Sequence, residues 1–447
     1  MPTPLPINNF FPLMHKLIPL LILLFTTLAC SDSNNDNITS EETPEGTPHP
    51  PAATARRTVL MYCAAQNSLG YGTTYYKSNW TKDSLELVAG KHFISNDDRL
   101  LVFVDDAAHP RLYRFRADAA PELVFQWSYD ANSANPSTLL DVLTRIKERF
   151  PAKEYGLCMW SHADGWIPSS NTNYSVAAPL SFGIDVGEHG NMSTDVSGDG
   201  ISLGAQMNIP DMAKAVQQSG LHFTYIFFDA CLMQCIEVAY DLRNATDYLI
   251  ASPISIASNG AYYTHLLEHG LFSPHPEDIA KTYYEDITSK ELSHEYDDFG
   301  IVISAIKTSE LEALAQTVRT ALEHVDLTTY PDLTAAHAYH VYSYNYYYRP
   351  HYYDMRSALR HLLTNAQFAP VDEAITRATA FYAATHKYWV GPRNNDFHNI
   401  TSDCCGISMF FPQEVYANNA SHCPYGNHNE TYRSTAWAQT IWKENKH

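Results

Sequence analysis

Residues 223–233 read Phe223-Thr224-Tyr225-Ile226-Phe227-Phe228-Asp229-Ala230-Cys231-Leu232-Met233. Six apolar or β-branched residues run into an acidic residue, a small residue and a cysteine, the pattern of a buried strand that ends at a turn. Behind it, Ile236, Val238, Ala239 and Leu242 predict an apolar helix. Ahead of it, Pro210 opens a helix carrying Met212, Ala215 and Val216, and Gly220 closes that helix. The same alternation extends outward. Tyr155–Trp160, Leu100–Val104, Thr58–Tyr62 and Tyr248–Ala251 read as further buried strands. Asn135 and Pro136 start a helix whose stripe is Leu139, Val142, Leu143, Ile146 and Phe150, stopped by Pro151. Strands alternating with helices predict a mostly parallel α/β sheet with right-handed crossovers, which binds ligands beyond the carboxyl ends of its strands.

The pattern changes after about residue 265. Gly300–Ser304 is one more strand, and Ser309 with Glu312 reads as a capping box for a helix carrying Leu311, Leu314, Val318 and Leu322. A Tyr-rich stretch from Tyr339 to Tyr353, an amphipathic helix near 371–384 and the apolar run Ile407–Phe411 follow. The expected organisation is a leader (1–30), a tether (31–56), a sheet-bearing domain (57–265) and a helix-rich C-terminal appendage (266–447) that completes the fold.

The leader reading rests on Lys16, the short apolar run Leu17–Leu28 and the ending Thr27-Leu28-Ala29-Cys30. That run is too short to span a bilayer and fits an export signal. Cysteine at the cut site resembles a bacterial lipobox, so Cys30 is expected to carry lipid and hold an exported chain to the cell envelope, facing the periplasm or the outside. Residues 31–56, SDSNNDNITSEETPEGTPHPPAATAR, are polar and proline-rich with no apolar period, as in a tether. A formal net charge of −20 argues against nucleic acid as a partner, because phosphate backbones need clustered Lys and Arg.

Two segments could carry chemistry. Cys231 sits where a strand passes into an apolar helix, and a helix N-terminus favours thiolate, the nucleophile that attacks an amide carbonyl. A buried core cysteine is the alternative, and Cys235 fits it better. His162 lies in Ser161-His162-Ala163-Asp164-Gly165-Trp166, just past another strand, where it can reach a neighbouring strand end. Seven cysteines besides Cys30 leave at least one thiol free, and a bond from Cys423 to Cys404 or Cys405 stays open.

Together these segments resemble the clostripain-like cysteine peptidases, relatives of caspases and gingipains. That family carries its catalytic His in a segment similar to residues 161–166 and its catalytic Cys in one similar to Asp229-Ala230-Cys231-Leu232-Met233. Leu60–Asn67, Glu237–Tyr240, Ser304–Ile306 and Gly406–Pro412 also match the family pattern, so the likeness covers roughly residues 57–412. The resemblance implies a caspase-like sheet flanked by helices and an endopeptidase acting through a Cys231/His162 dyad on protein or peptide substrates. It also implies oxyanion contacts from the amides of Cys231 and Ala163, and Asp229 as an acid for a basic residue before the cut. Two departures stand out. Ala163 replaces the family's glycine, and the second acid of the specificity pocket is not evident in Ser252-Pro253 and Gly260–Tyr263. These departures keep two other expectations in view, an envelope binding lipoprotein with the same fold and a hydrolase of non-peptide amides. No cofactor is implied. The run Asp195-Val196-Ser197-Gly198-Asp199-Gly200 offers calcium ligands but lacks EF-hand spacing, and a plain turn accounts for it.

Overall fold

The computed structural model describes residues 52–72, 78–106, 109–167, 181–187, 204–289, 299–323, 325, 330–344, 347–390, 397–416 and 428–442. Cys30, the leader, the Asp195–Gly200 run and Cys423 lie outside the described residues. In chain order the strands are β1 (Ala55–Ala64), β2 (Asp98–Asp105), β3 (Arg111–Phe115), β4 (Glu122–Gln126), β5 (Ala152–Trp160), β6 (Phe182–Asp185), β7 (Ala205–Met207), β8 (Phe223–Asp229) and β9 (Thr246–Ala251). They continue with β10 (Val302–Lys307), β11 (Ala338–Tyr344), β12 (Tyr347–Asp354) and β13 (Thr379–Ala384). The main sheet has the order β13-β10-β9-β8-β5-β1-β2-β3-β4. Its five central strands, β9 to β2, are parallel, and antiparallel strands close both edges.

Both faces of the central strands are covered, as their unbroken apolar runs require. Along β5, Leu157 and Met159 pack into one core while Cys158 and Trp160 pack into the other. The first core holds α2 (Pro136–Arg149), α3 (Ile209–Ser219) and α4 (Ile236–Leu242). Helix α1 (Asn79–Gly90) and the helix Asp278–Thr288 cover the opposite face. The local signals at two helix ends behave as read. The Asn135 side chain accepts from the Ser137 amide at 2.9 Å, and Gly220 takes a left-handed φ of 65°.

Three local expectations are corrected. No capping box forms at Ser309. A 3₁₀ turn, Thr308–Glu310, precedes the helix Leu311–Leu322, and the Glu312 carboxylate accepts from the Tyr240 hydroxyl at 2.7 Å instead. The helix expected near 371–384 runs from Asn365 to Ala378 and then becomes β13, because β10 offers an unpaired edge that Thr379–Ala384 fills. Helix α4 starts at Ile236, five positions after Cys231, with Cys235 as its cap, so Cys231 lies in the preceding turn. The Tyr-rich stretch is the β11–β12 hairpin, extended by Ser408–Met409. Region 266–447 therefore supplies two strands of the main sheet as well as helices. Among the described residues no helix is long and apolar enough to cross a membrane.

Candidate active site

Parallel strands β5 and β8 are neighbours, and Trp160 is in register with Asp229. His162 and Cys231 each follow two residues beyond that pair, so both emerge at the same carboxyl edge from adjacent strands, which in a sheet lie about 4.8 Å apart. This is the juxtaposition the two sequence segments predict.

The Cys231 turn is tightly built. Leu232 has φ 62°, the one non-glycine positive value among the described residues, and its amide bonds to the Ile254 carbonyl at 3.0 Å. A γ-branched residue in the left-handed region is strained, and such strain persists only where the surroundings enforce it. The Cys231 sulfur accepts from the Ile256 amide at 3.4 Å. Burial pushes this thiol up to about 11, the Ile256 amide opposing and the charges of Asp164 and Asp229 adding to the rise. The helix-terminus argument from the sequence is thereby corrected. Cys231 lies in the turn before the helix and not at its N-terminus, and the net shift of its thiol is upward. At rest the group is a thiol.

His162 stands on a loop pinned from three sides. The Gly183 amide donates to the His162 carbonyl at 2.8 Å, and the Asp164 amide donates to Ser181 O at 3.1 Å. These flanking bonds make Ala163 and Phe182 a bridge pair. The amide of Ala163 itself therefore points away from β6. The Ala163 methyl is packed in the core. Gly165 has φ 67°, and a Cβ there would fall 2.7 Å from the Cys235 sulfur and 2.9 Å from the Leu232 carbonyl oxygen. Only glycine lets the His162 loop approach the Cys231 turn this closely. On the third side, the Tyr352 hydroxyl donates to the Asp164 carbonyl.

The loop after β1 completes the edge. Asn67, fully buried, donates to the carbonyls of Ala64 (2.7 Å) and Ile184 (2.9 Å) and to Ser161 Oγ (3.2 Å). Next to it, Ser68 Oγ lies 2.9 Å from His162 Nε2. Sequence reading missed Ser68, and nothing local marks a serine in an Asn-Ser-Leu-Gly turn as a histidine partner; only the β1–β5 register places it there.

Asp229 closes β8 but does not line an open cleft. It is 3% exposed. Its Oδ2 accepts from the Ala261 amide (3.0 Å) and the Tyr263 hydroxyl (2.8 Å), and Oδ1 accepts from Tyr283 at 3.4 Å. Burial raises its pKa, these bonds opposing. Buried nearby, Asp83 accepts from Trp160 Nε1 at 2.7 Å, and its pKa is also raised, first by burial and then by Asp229. Among the described residues neither acid is in an ion pair. Cys63, Cys158, Cys235, Cys404 and Cys405 are free and buried. Among the described residues no group of three or more His, Cys, Asp or Glu side chains is arranged to hold a metal ion.

A pair of acids supports β6. The Ser133 amide donates to Asp105 Oδ2 at 3.2 Å and to Asp185 Oδ2 at 2.6 Å, so two buried carboxyls crowd one donor. Burial and then the charge of Asp185 push Asp105 up to about 9, and burial raises Asp185. The pair holds a proton that the unfolded chain would release. Folding therefore takes up a proton, and the stability it contributes, complete below pH 4, is lost as pH rises toward 9. Asp105→Asn keeps a donor toward Asp185 without titrating. Between about pH 6 and pH 8 wild type should lose about 1.4 kcal/mol per pH unit from this source, and the variant should not. Thermal melts of both across that range check this; equal slopes would remove the shared proton.

The fold and site define a caspase-like α/β protein with a cysteine and a histidine at adjacent strand ends. The model of the clostripain family, Peptidase_C11, matches residues 61–443, and the chain belongs to that family. It is 26% identical over 233 residues to clostripain of Hathewaya histolytica, a match covering 47% of this chain and 41% of that protein. It is also similar to a secreted C11 cysteine protease of Bacteroides thetaiotaomicron solved with an irreversible peptide inhibitor (TM-score 0.68, 28% identity, 87% of this chain, 99% of the other). An inactive zymogen C11 protease of Parabacteroides distasonis is comparably similar (TM-score 0.66, 25% identity, 88% and 99%).

Proposed function

We propose that this chain is a cysteine endopeptidase in which Cys231 is the nucleophile and His162 the base. The observation that carries the reading is the Trp160–Asp229 register, which brings both residues to one edge of the sheet. His162 takes the Cys231 proton as the sulfur forms a bond to the scissile carbonyl carbon. The amides of Cys231 and Ala163 hold the oxyanion, a role supported for Ala163 by its orientation away from β6. The C–N bond then breaks as His162 protonates the leaving amine, and water resolves the acyl-enzyme.

A peptide substrate is supported by the peptide inhibitor bound to the similar Bacteroides protease. A basic residue before the cut is supported only by Asp229, whose carboxylate oxygens are already engaged by neutral donors. Export with lipid on Cys30, an envelope location and a tether to residue 56 remain part of the proposal, supported by the leader composition and by a similar protease that is secreted.

The test is a set of peptides varying the residue before the cut, assayed on wild type and Cys231→Ala with a thiol-directed peptide probe alongside. Cleavage and labelling lost together in the variant are expected. Labelling of wild type without cleavage of any peptide would favour a binding protein instead.

A further inference from the structure

We propose that Cys235 is a positioning residue for the nucleophile, its thiol holding the left-handed turn at Leu232 that presents the Cys231 sulfur. The inference rests on the reading of Cys231 as nucleophile and adds to it a residue outside the Asp229–Met233 segment.

The turn needs a constraint. Leu232 holds φ 62° with its side chain buried, a conformation that is unfavourable for a γ-branched residue and survives only where the surroundings enforce it. Backbone bonds fix one side of the turn. The Leu232 amide donates to the Ile254 carbonyl and the Gln234 amide to the Ser252 carbonyl, both at 3.0 Å. Neither bond engages the Leu232 carbonyl, whose direction depends on the backbone angles of Leu232 itself. That carbonyl accepts from the Cys235 thiol at 2.8 Å. The bond closes the turn between Leu232 and the start of α4 and fixes the peptide plane that follows Leu232.

Cys235 is suited to this bond. It is fully buried, in extended backbone at the cap of α4. Burial, and then the charge of Glu237, push its pKa well above the ordinary thiol value, with the Ser408 side chain and the Trp166 amide opposing. The sulfur therefore keeps the proton that it donates. Ser408 lies beside it as a bridge partner. From the other side the His162 loop presses in at Gly165, where a Cβ would fall 2.7 Å from the Cys235 sulfur and 2.9 Å from the Leu232 carbonyl oxygen. Donor and acceptor are thus confined together. Cys231 adjoins this turn directly, and its sulfur meets the Ile256 amide at 3.4 Å, a contact that a relaxed Leu232 would disturb.

The test uses the full chain as wild type, Cys235→Ala, Cys235→Ser and Cys231→Ala, assayed well below their melting temperatures. Inactivation by a thiol-directed peptide probe is resolved into its maximal rate and its half-saturating concentration. Hydrogen–deuterium exchange read by mass spectrometry follows the backbone of residues 230–236. Cys235→Ala should lower the maximal rate about tenfold, short of the ~10² that a 1 Å misplacement costs, with half-saturation little changed. Residues 230–236 should exchange faster while the rest of the sheet does not. Cys235→Ser keeps a donor at the same place and should restore both.

A maximal rate and an exchange pattern unchanged in Cys235→Ala, with wild type labelled at Cys231, would overturn the role of Cys235 alone. A loss that Cys235→Ser fails to restore would also overturn it, because packing rather than the hydrogen bond would then be responsible. Undiminished labelling in Cys231→Ala would overturn the nucleophile reading beneath it. Should wild type resist the probe, exchange decides: equal exchange in wild type and Cys235→Ala refutes the constraint. If Cys235→Ala fails to fold, Cys235→Val, which fills the space without a donor, takes its place under the same expectations.

Discussion

Cys231→Ala should abolish both cleavage and covalent labelling, and His162→Ala should slow labelling by a peptide probe by about 10²–10⁴. The size of the second effect follows from the state of the thiol. With its pKa pushed up to about 11 by burial, only a small fraction of Cys231 is thiolate near neutral pH. Unassisted attack is correspondingly slow, so the base supplies most of the rate. A small neutral alkylating agent provides the contrast. It should label Cys231 slowly, gain rate as pH rises toward 11 and depend little on His162, because it samples the free thiolate. The peptide probe should depend strongly on His162, because bound substrate brings the electrophile into the site where proton transfer counts. Equal peptide-probe rates in wild type and His162→Ala would dismiss the histidine as base. Labelling that persists in Cys231→Ala would dismiss the nucleophile.

Asp229→Ala should cost stability on the order of 3–6 kcal/mol, because it strands three buried donors at about 1–3 kcal/mol each with partial relaxation. Those donors are the Ala261 amide and the hydroxyls of Tyr263 and Tyr283. They tie the segment after β9 to the end of β8. Gly260, at φ 63°, packs so closely on Asp229 that a Cβ there would sit 2.6 Å from Oδ2. Releasing this tie should loosen the Ile256 amide against the Cys231 sulfur and slow labelling with the nucleophile intact. Asp229→Asn keeps one acceptor oxygen and the shape, and should lose far less. The same pair of variants separates a structural tie from a specificity residue. A tie predicts that Asn lowers turnover of all peptides alike. A selective loss of cleavage after Arg or Lys, with an unchanged melting temperature, would put Asp229 in the specificity pocket.

Sequence by itself determined the elements whose signals are local. Continuous apolar runs announced β1, β2, β5, β8 and β9, and Asn135-Pro136 and Gly220 marked helix ends, because periodicity and capping act over one turn or one strand. It also marked Cys231 and His162 as candidates, since each lies two residues beyond a legible strand end. Tertiary structure alone decided what those residues face. The thiol is raised rather than lowered, because α4 begins at Ile236 and the turn before it is buried. Thr379–Ala384 is a strand because β10 presented an edge, and Glu312 bonds Tyr240 rather than capping its own helix. Asp229 turns inward to three donors brought from residues 261, 263 and 283, and Ser68 meets His162 across 94 positions of chain. Such partners are set by the register of strands far apart in sequence. Local pattern carries no information about that register until the sheet is closed.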